Sequence, residues 1–171
     1  MRPGRPISSG MTDTDDIIAG TIPRAALWSG LAGLLPFWLP VIIAAQAVVT
    51  GRSAAAEAAF FTIYAAIILG FLGGARWGRA LAPGENPPDR HWLGAIATSV
   101  LGVTAVALHW AAGPVPAFVL VLAGLAGQYL WDRGAVERRR LPRWYGRLRT
   151  LLTAGASAAA LAMIVVTILA G

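Results

Sequence analysis

The chain has 171 residues, 57 % of them hydrophobic and 13 % charged, whereas a soluble domain carries about 25 % charged residues, so a soluble globular protein is excluded. The net charge is +6 and every basic residue is arginine; a pI near 11.3 would point to nucleic acid if these arginines sat on a soluble domain, and their placement argues against that partner. The absence of cysteine excludes disulfide frameworks, thiol catalysis, cysteine-ligated zinc and iron–sulfur clusters.

Residues 1–23 are polar, with an acidic cluster at Asp13, Asp15 and Asp16, and read as a disordered cytoplasmic tail. No secretory signal order is present in it, and Met11 serves as a start as well as Met1 does. Residues 24–171 form the membrane domain. Its apolar stretches lie at about 25–49, 58–75, 92–110, 115–131 and 151–170, each close to the roughly 20 residues that cross about 30 Å of hydrocarbon. The fold class is therefore all-α: a polytopic membrane protein, a bundle of five transmembrane helices.

In the first span, Pro36 and Pro40 interrupt the backbone ladder and predict a kink, with freed carbonyls that neighbouring helices must shield. The third is bracketed by Trp92 and Trp110, which a helix sets about 27 Å apart, one at each interface. Five spans place thirteen of the fourteen arginines on one side and leave Arg52 alone on the other. The positive-inside rule then puts the N-terminus in the cytoplasm and the C-terminus outside. Short connections predict antiparallel packing of consecutive helices.

Three clusters stand out, all at the cytoplasmic ends. Gly70, Gly74 and Gly78 recur at four-residue spacing and predict a flat ridge for close helix packing, with Arg76 about 200° round the helix from Gly74. Arg76 and Arg79 are candidates for holding an anion such as a lipid phosphate; interfacial anchoring is the plainer role. Asp132 sits at a helix C-terminus, where the dipole disfavours an acid. It needs a cation, and Arg76 is the candidate, with Arg133 the local alternative. Leu141, Trp144, Tyr145 and Leu148 follow helical spacing while Arg140, Arg143 and Arg147 line another face, which predicts an interfacial amphipathic helix leading into the last span. Its basic face suits anionic phospholipid. The candidate lipid or ion-pair cluster is thus Arg76, Arg79, Asp132, Arg143, Trp144 and Arg147. Gly94, Thr98 and Gly102, and Ala154, Ala158 and Ala162, are weaker candidate packing seams.

Enzymatic constellations are missing from the sequence. His91 and His109 lie at opposite ends of one span and cannot share a metal; no cofactor, metal site or catalytic residue is expected. Gln46, Thr62, Tyr64, Thr98, Ser99, Thr104 and Gln128 are the polar residues left within the spans, and most should bond within or between helices.

The segments Ile22-Pro23-Arg24-Ala25-Ala26-Leu27-Trp28, Phe71-Leu72-Gly73-Gly74-Ala75-Arg76-Trp77-Gly78, Trp131-Asp132-Arg133 and Leu141-Pro142-Arg143-Trp144-Tyr145 resemble the domain of unknown function 3429 family. These are small bacterial membrane proteins whose relatives include the mitochondrial transmembrane protein 69. The resemblance covers about residues 22–170 and implies a multi-span protein of the bacterial inner (plasma) membrane. It brings no substrate or catalytic residue. The reading is a non-enzymatic membrane interaction or assembly protein, in contact with the lipid bilayer and with a membrane-protein partner or a second copy of itself. The alternative is a small transporter or channel for a neutral or anionic solute, with Gln46, Thr62 and Thr98 lining a path.

Overall fold

In hydrocarbon every backbone polar group must be satisfied within the chain, so long apolar segments become helices. The computed structural model describes residues 21–82 and 88–170, and among these no strand occurs. The first span is divided into α1 (Arg24–Ala32) and α2 (Leu35–Val49); α3 (Ala55–Ala80), α4 (Asp89–Ala112), α5 (Pro114–Glu137) and α6 (Arg143–Ala170) are single helices. Counting α1 and α2 together, five segments are long and apolar enough to span a membrane. The expected tail at 1–23 lies, apart from residues 21–23, outside the described residues.

The helices run past the apolar stretches mainly at one end. There α3 continues through Arg76 and Arg79, α5 through Asp132 to Glu137, and α6 begins at Arg143. We call this the basic end. The amphipathic segment leads into the last span without a break: Arg143, Trp144 and Arg147 belong to the first turns of α6, which is continuous to Ala170. The apolar positions that suggested a surface helix are the start of the spanning helix's own inward stripe, and Leu148 is buried.

Between α1 and α2 the backbone tightens ahead of Pro36. Leu34 donates to Leu31 at 3.0 Å and Phe37 to Leu34 at 3.1 Å, three-residue bonds in place of four. This deprives the Gly33 carbonyl of its partner, and the Tyr64 hydroxyl of α3 supplies one at 2.8 Å. The expected shielding of a freed carbonyl is therefore done by one named side chain. The break itself falls at Gly33–Leu34, while Pro40 lies inside α2.

Helices α2, α3, α4, α5 and α6 pack in a closed ring in chain order, with α6 returning to α2, and α3 also touches α5. An aromatic cluster joins three spans: Phe61 stands edge-on to Phe37 at 5.4 Å and to Phe118 at 5.2 Å. Leu69, Val121 and Met163 are fully buried beside it. Helix ends are closed by the backbone. Arg140 donates to Ala135 and Arg139 to Val136, a Schellman motif that holds Arg139 at φ 55°, a conformation more usual for glycine. The same pair of bonds ends α2 with Gly51 in that position.

Candidate functional site

The buried stripe of α5 is Phe118, Val121, Leu125, Gln128, Asp132 and Ala135, a spacing of three or four residues that carries a carboxylate inward with the apolar side chains. On α6 the stripe of Ala156, Ala159, Ala160 and Met163, continued back by one or two turns, meets Thr153 and Arg149. The two stripes face each other, and Arg149 Nε donates to Asp132 Oδ2 at 2.7 Å. Asp132 is 4 % and Arg149 7 % exposed, so this is a buried ion pair. The cation that Asp132 needs is thus Arg149, not the expected Arg76. Arg76 fails as the direct partner because its side chain turns toward α4, and Arg133 pairs along its own helix with Glu137 at 2.9 Å.

Arg76 is instead held by two neighbours. Its Nη1 donates to the Gly94 carbonyl at 3.1 Å, and its guanidinium carbon lies 4.3 Å from the ring centre of Trp131, a cation–π contact. The His91 ring stands edge-on to the same tryptophan at 5.0 Å. The positioned pair lines a recess of about 230 Å³ between α3, α4 and α5, together with Arg79, Arg90, Arg138 and Arg140. Five guanidinium groups thus border one opening. Two of its buried nitrogens, Arg76 Nε and His91 Nδ1, have no protein partner. The C-terminal ends of α3 and α5 both lie here, where their dipoles favour cations. An arrangement of this kind can receive an anion through bidentate and charge-assisted hydrogen bonds.

Of the candidate cluster, the structure brings Arg76 and Arg79 to this recess and leaves the rest apart. Asp132 is sequestered in its ion pair; Arg143 and Arg147 are exposed on α6; Trp144 stands edge-on to Tyr145 at 6.0 Å. Arg90, Arg138 and Arg140 were not singled out as site residues. The arginine run at 138–140 was the available signal, once the Schellman turn is seen to fold it back over the end of α5. Among the described residues no group of three or more acidic or histidine side chains could hold a metal.

The glycine ridge also needs correction. A methyl at Gly74 or Gly78 would meet nothing within 4 Å, and one at Gly70 only Ser99 Oγ at 3.9 Å. Close approach to α4 is made by Gly73, where a methyl would collide with the Ala95 carbonyl and lie 2.9 Å from Thr98 Oγ1. Gly102 repeats this against Ala66, whose Cα would be 3.1 Å away. Glycines four apart drift round the helix, so the ridge turns from α4 toward the outside. Thr98 and Gly102 do belong to the seam, while on α6 Ala154 and Ala158 face outward and the buried alanines are Ala156, Ala159 and Ala160. The residues proposed to line a path do not meet: Gln46 is exposed, Thr62 bonds Ala58 and His109, and Thr98 bonds carbonyls of its own helix.

Five spans around an aromatic core, with all but one of the described arginines gathered at one end, define a multi-pass helical membrane protein. The chain belongs to the family described as protein of unknown function (DUF3429), which it matches over residues 22–166. It is 35 % identical over 133 residues to transmembrane protein 69 of Xenopus tropicalis, a match covering 77 % of this chain and 50 % of that protein. The chain thus spans about half the length of this relative. No solved structure matches it significantly.

Proposed function

We propose that this chain is a non-enzymatic interaction or assembly protein of the bacterial inner membrane, with its N-terminus cytoplasmic and its C-terminus outside, and that its basic end engages anionic phospholipid headgroups. The observation that carries this reading is the recess bordered by Arg76, Arg79, Arg90, Arg138 and Arg140. Each arginine near an anionic surface contributes about 1 kcal/mol of attraction, and the recess adds geometry to charge. The outward-facing Gly74 and Gly78 leave a flat strip of α3 on which a partner helix or a second copy can lie.

Purification in mild detergent with mass spectrometry of the intact protein tests the proposal. Retention of phosphatidylglycerol or cardiolipin in preference to phosphatidylcholine is expected, with retention reduced severalfold by Arg90→Gln together with Arg140→Gln. A monomer that retains neither anionic lipid nor a protein partner overturns it. The alternative of a small transporter or channel finds less support, because Phe37, Phe61 and Phe118 fill the middle of the bundle.

A further inference from the structure

A second opening lies elsewhere in the bundle and shares no lining residue with the arginine recess. It is a cleft of about 180 Å³ walled by α1 and α2 on one side and by α3, α5 and α6 on the other. Its polarity is graded along the bundle. Toward the basic end it is lined by Arg149 and, one turn deeper, Thr153; farther in, Phe37, Leu125 and Ala156 make it wholly apolar. At its mouth lie exposed Phe71 and Ser29, so the cleft opens between α1 and α3 on the bilayer-facing side.

Arg149 is more than nine-tenths buried, and Asp132 occupies its Nε. Its Nη2 is buried without a protein partner, and so is the Thr153 hydroxyl. Unsatisfied donors in such surroundings are costly. Two donors, one charged and one neutral, stand one turn apart on α6 at the polar end of an apolar slot.

We propose that this cleft binds the carboxylate end of a single-chain fatty acid, its two oxygens accepting from Arg149 Nη2 and Thr153 Oγ1 and its chain lying against Phe37 and Leu125. Size supports one chain: a cavity of about 150 Å³ holds benzene, so this one takes a head and roughly the first six carbons, the remainder passing out at Phe71 into lipid. Charge supports a singly charged head, because Asp132 already answers part of the guanidinium charge and repels a dianion. Depth agrees as well. The polar end lies toward the basic end of the bundle and the apolar end toward its middle, which is how an amphiphile of that leaflet is oriented.

The test is equilibrium binding of radiolabelled laurate to the full chain in phosphatidylcholine nanodiscs, with folding of each variant followed by circular dichroism. Saturable binding of one equivalent is expected. Dodecanol, which has the chain without the charge, should bind at least tenfold more weakly, and phosphatidylglycerol should not displace laurate. Ala156→Leu, which fills the slot, should abolish binding. Thr153→Val removes only a hydroxyl that bonds nothing else, so it leaves the ion pair intact and should weaken binding about fivefold; it keeps the test decisive should leucine not be accommodated. Absence of saturable laurate binding, equal binding of dodecanol, displacement by phosphatidylglycerol, or unchanged affinity in a folded variant overturns the proposal. Loss of anionic phospholipid from the arginine recess would leave this result unaffected, so the two readings fail separately.

Discussion

Asp132 and Arg149 exchange the hydration of two charges for one bond of 2.7 Å, and the desolvation of both ions consumes most of what their attraction returns. The pair is therefore costly to break and cheap to replace. Asp132→Leu or Arg149→Met alone should each lower unfolding free energy by about 3–5 kcal/mol, while the two combined should be near neutral; denaturation of the wild type and these three variants in one detergent measures this as a double-mutant cycle. Rescue of Asp132→Arg by Arg149→Asp, and none by Arg76→Asp, is the matching charge-swap result. The need of Asp132 for a cation was legible in the sequence from the helix dipole. The identity of that cation was not, because Arg149 sits among six arginines of the 138–149 segment and composition alone makes it one more topology charge. Only the inward stripe of α6, prolonged past the apolar stretch, separates it from Arg147.

Small residues decide how closely α3 and α4 approach, and the relevant phase is set by the partner helix and not by the spacing of glycines. Gly73→Ala should cost about 1–3 kcal/mol through overpacking, whereas Gly74→Ala, with open space at its Cβ, should stay within about 0.5 kcal/mol; paired thermal melts of the two variants check the seam directly. A four-residue repeat is visible in the sequence, but Gly70, Gly73 and Gly74 are all within one turn, and a helix viewed alone does not say which flank meets its neighbour. Turn chemistry was equally hidden. Nothing marks Arg139 as a left-handed residue, since glycine is the usual occupant. Arg139→Gly should therefore relieve strain and raise stability by about 1 kcal/mol, read as a higher melting temperature. The proline break was legible, while its remedy was not, because Tyr64 lies on a different span. Tyr64→Phe should cost about 1 kcal/mol by leaving the Gly33 carbonyl unpaired.

The span count was legible because hydrocarbon thickness fixes the length of an apolar run, and nothing else in a chain imposes so rigid a ruler. Where each helix stops was not, since beyond the hydrocarbon α5 and α6 prolong themselves on charged residues that composition assigns to loops. The proposed orientation rests on arginine segregation and can be tested in cells. The native chain has no cysteine, so Ser53→Cys should react with a membrane-impermeant maleimide added outside intact cells, and Arg138→Cys only after permeabilisation. Labelling in the reverse order would invert the topology. Within this frame the divided first span sets α1 apart from the rest. It has no buried residue and rests on α6 at Gly30, where an added methyl would come within 2.8 Å of Leu152. With the hydrogen-bond ladder already interrupted at Leu34, α1 can part from the bundle without unravelling α2, which makes it a separate unit of local opening. Backbone amides of residues 24–32 should then exchange deuterium well before those of 35–49 in the same lipid disc, a hinge set at Gly33–Leu34 by the tightened turn ahead of Pro36.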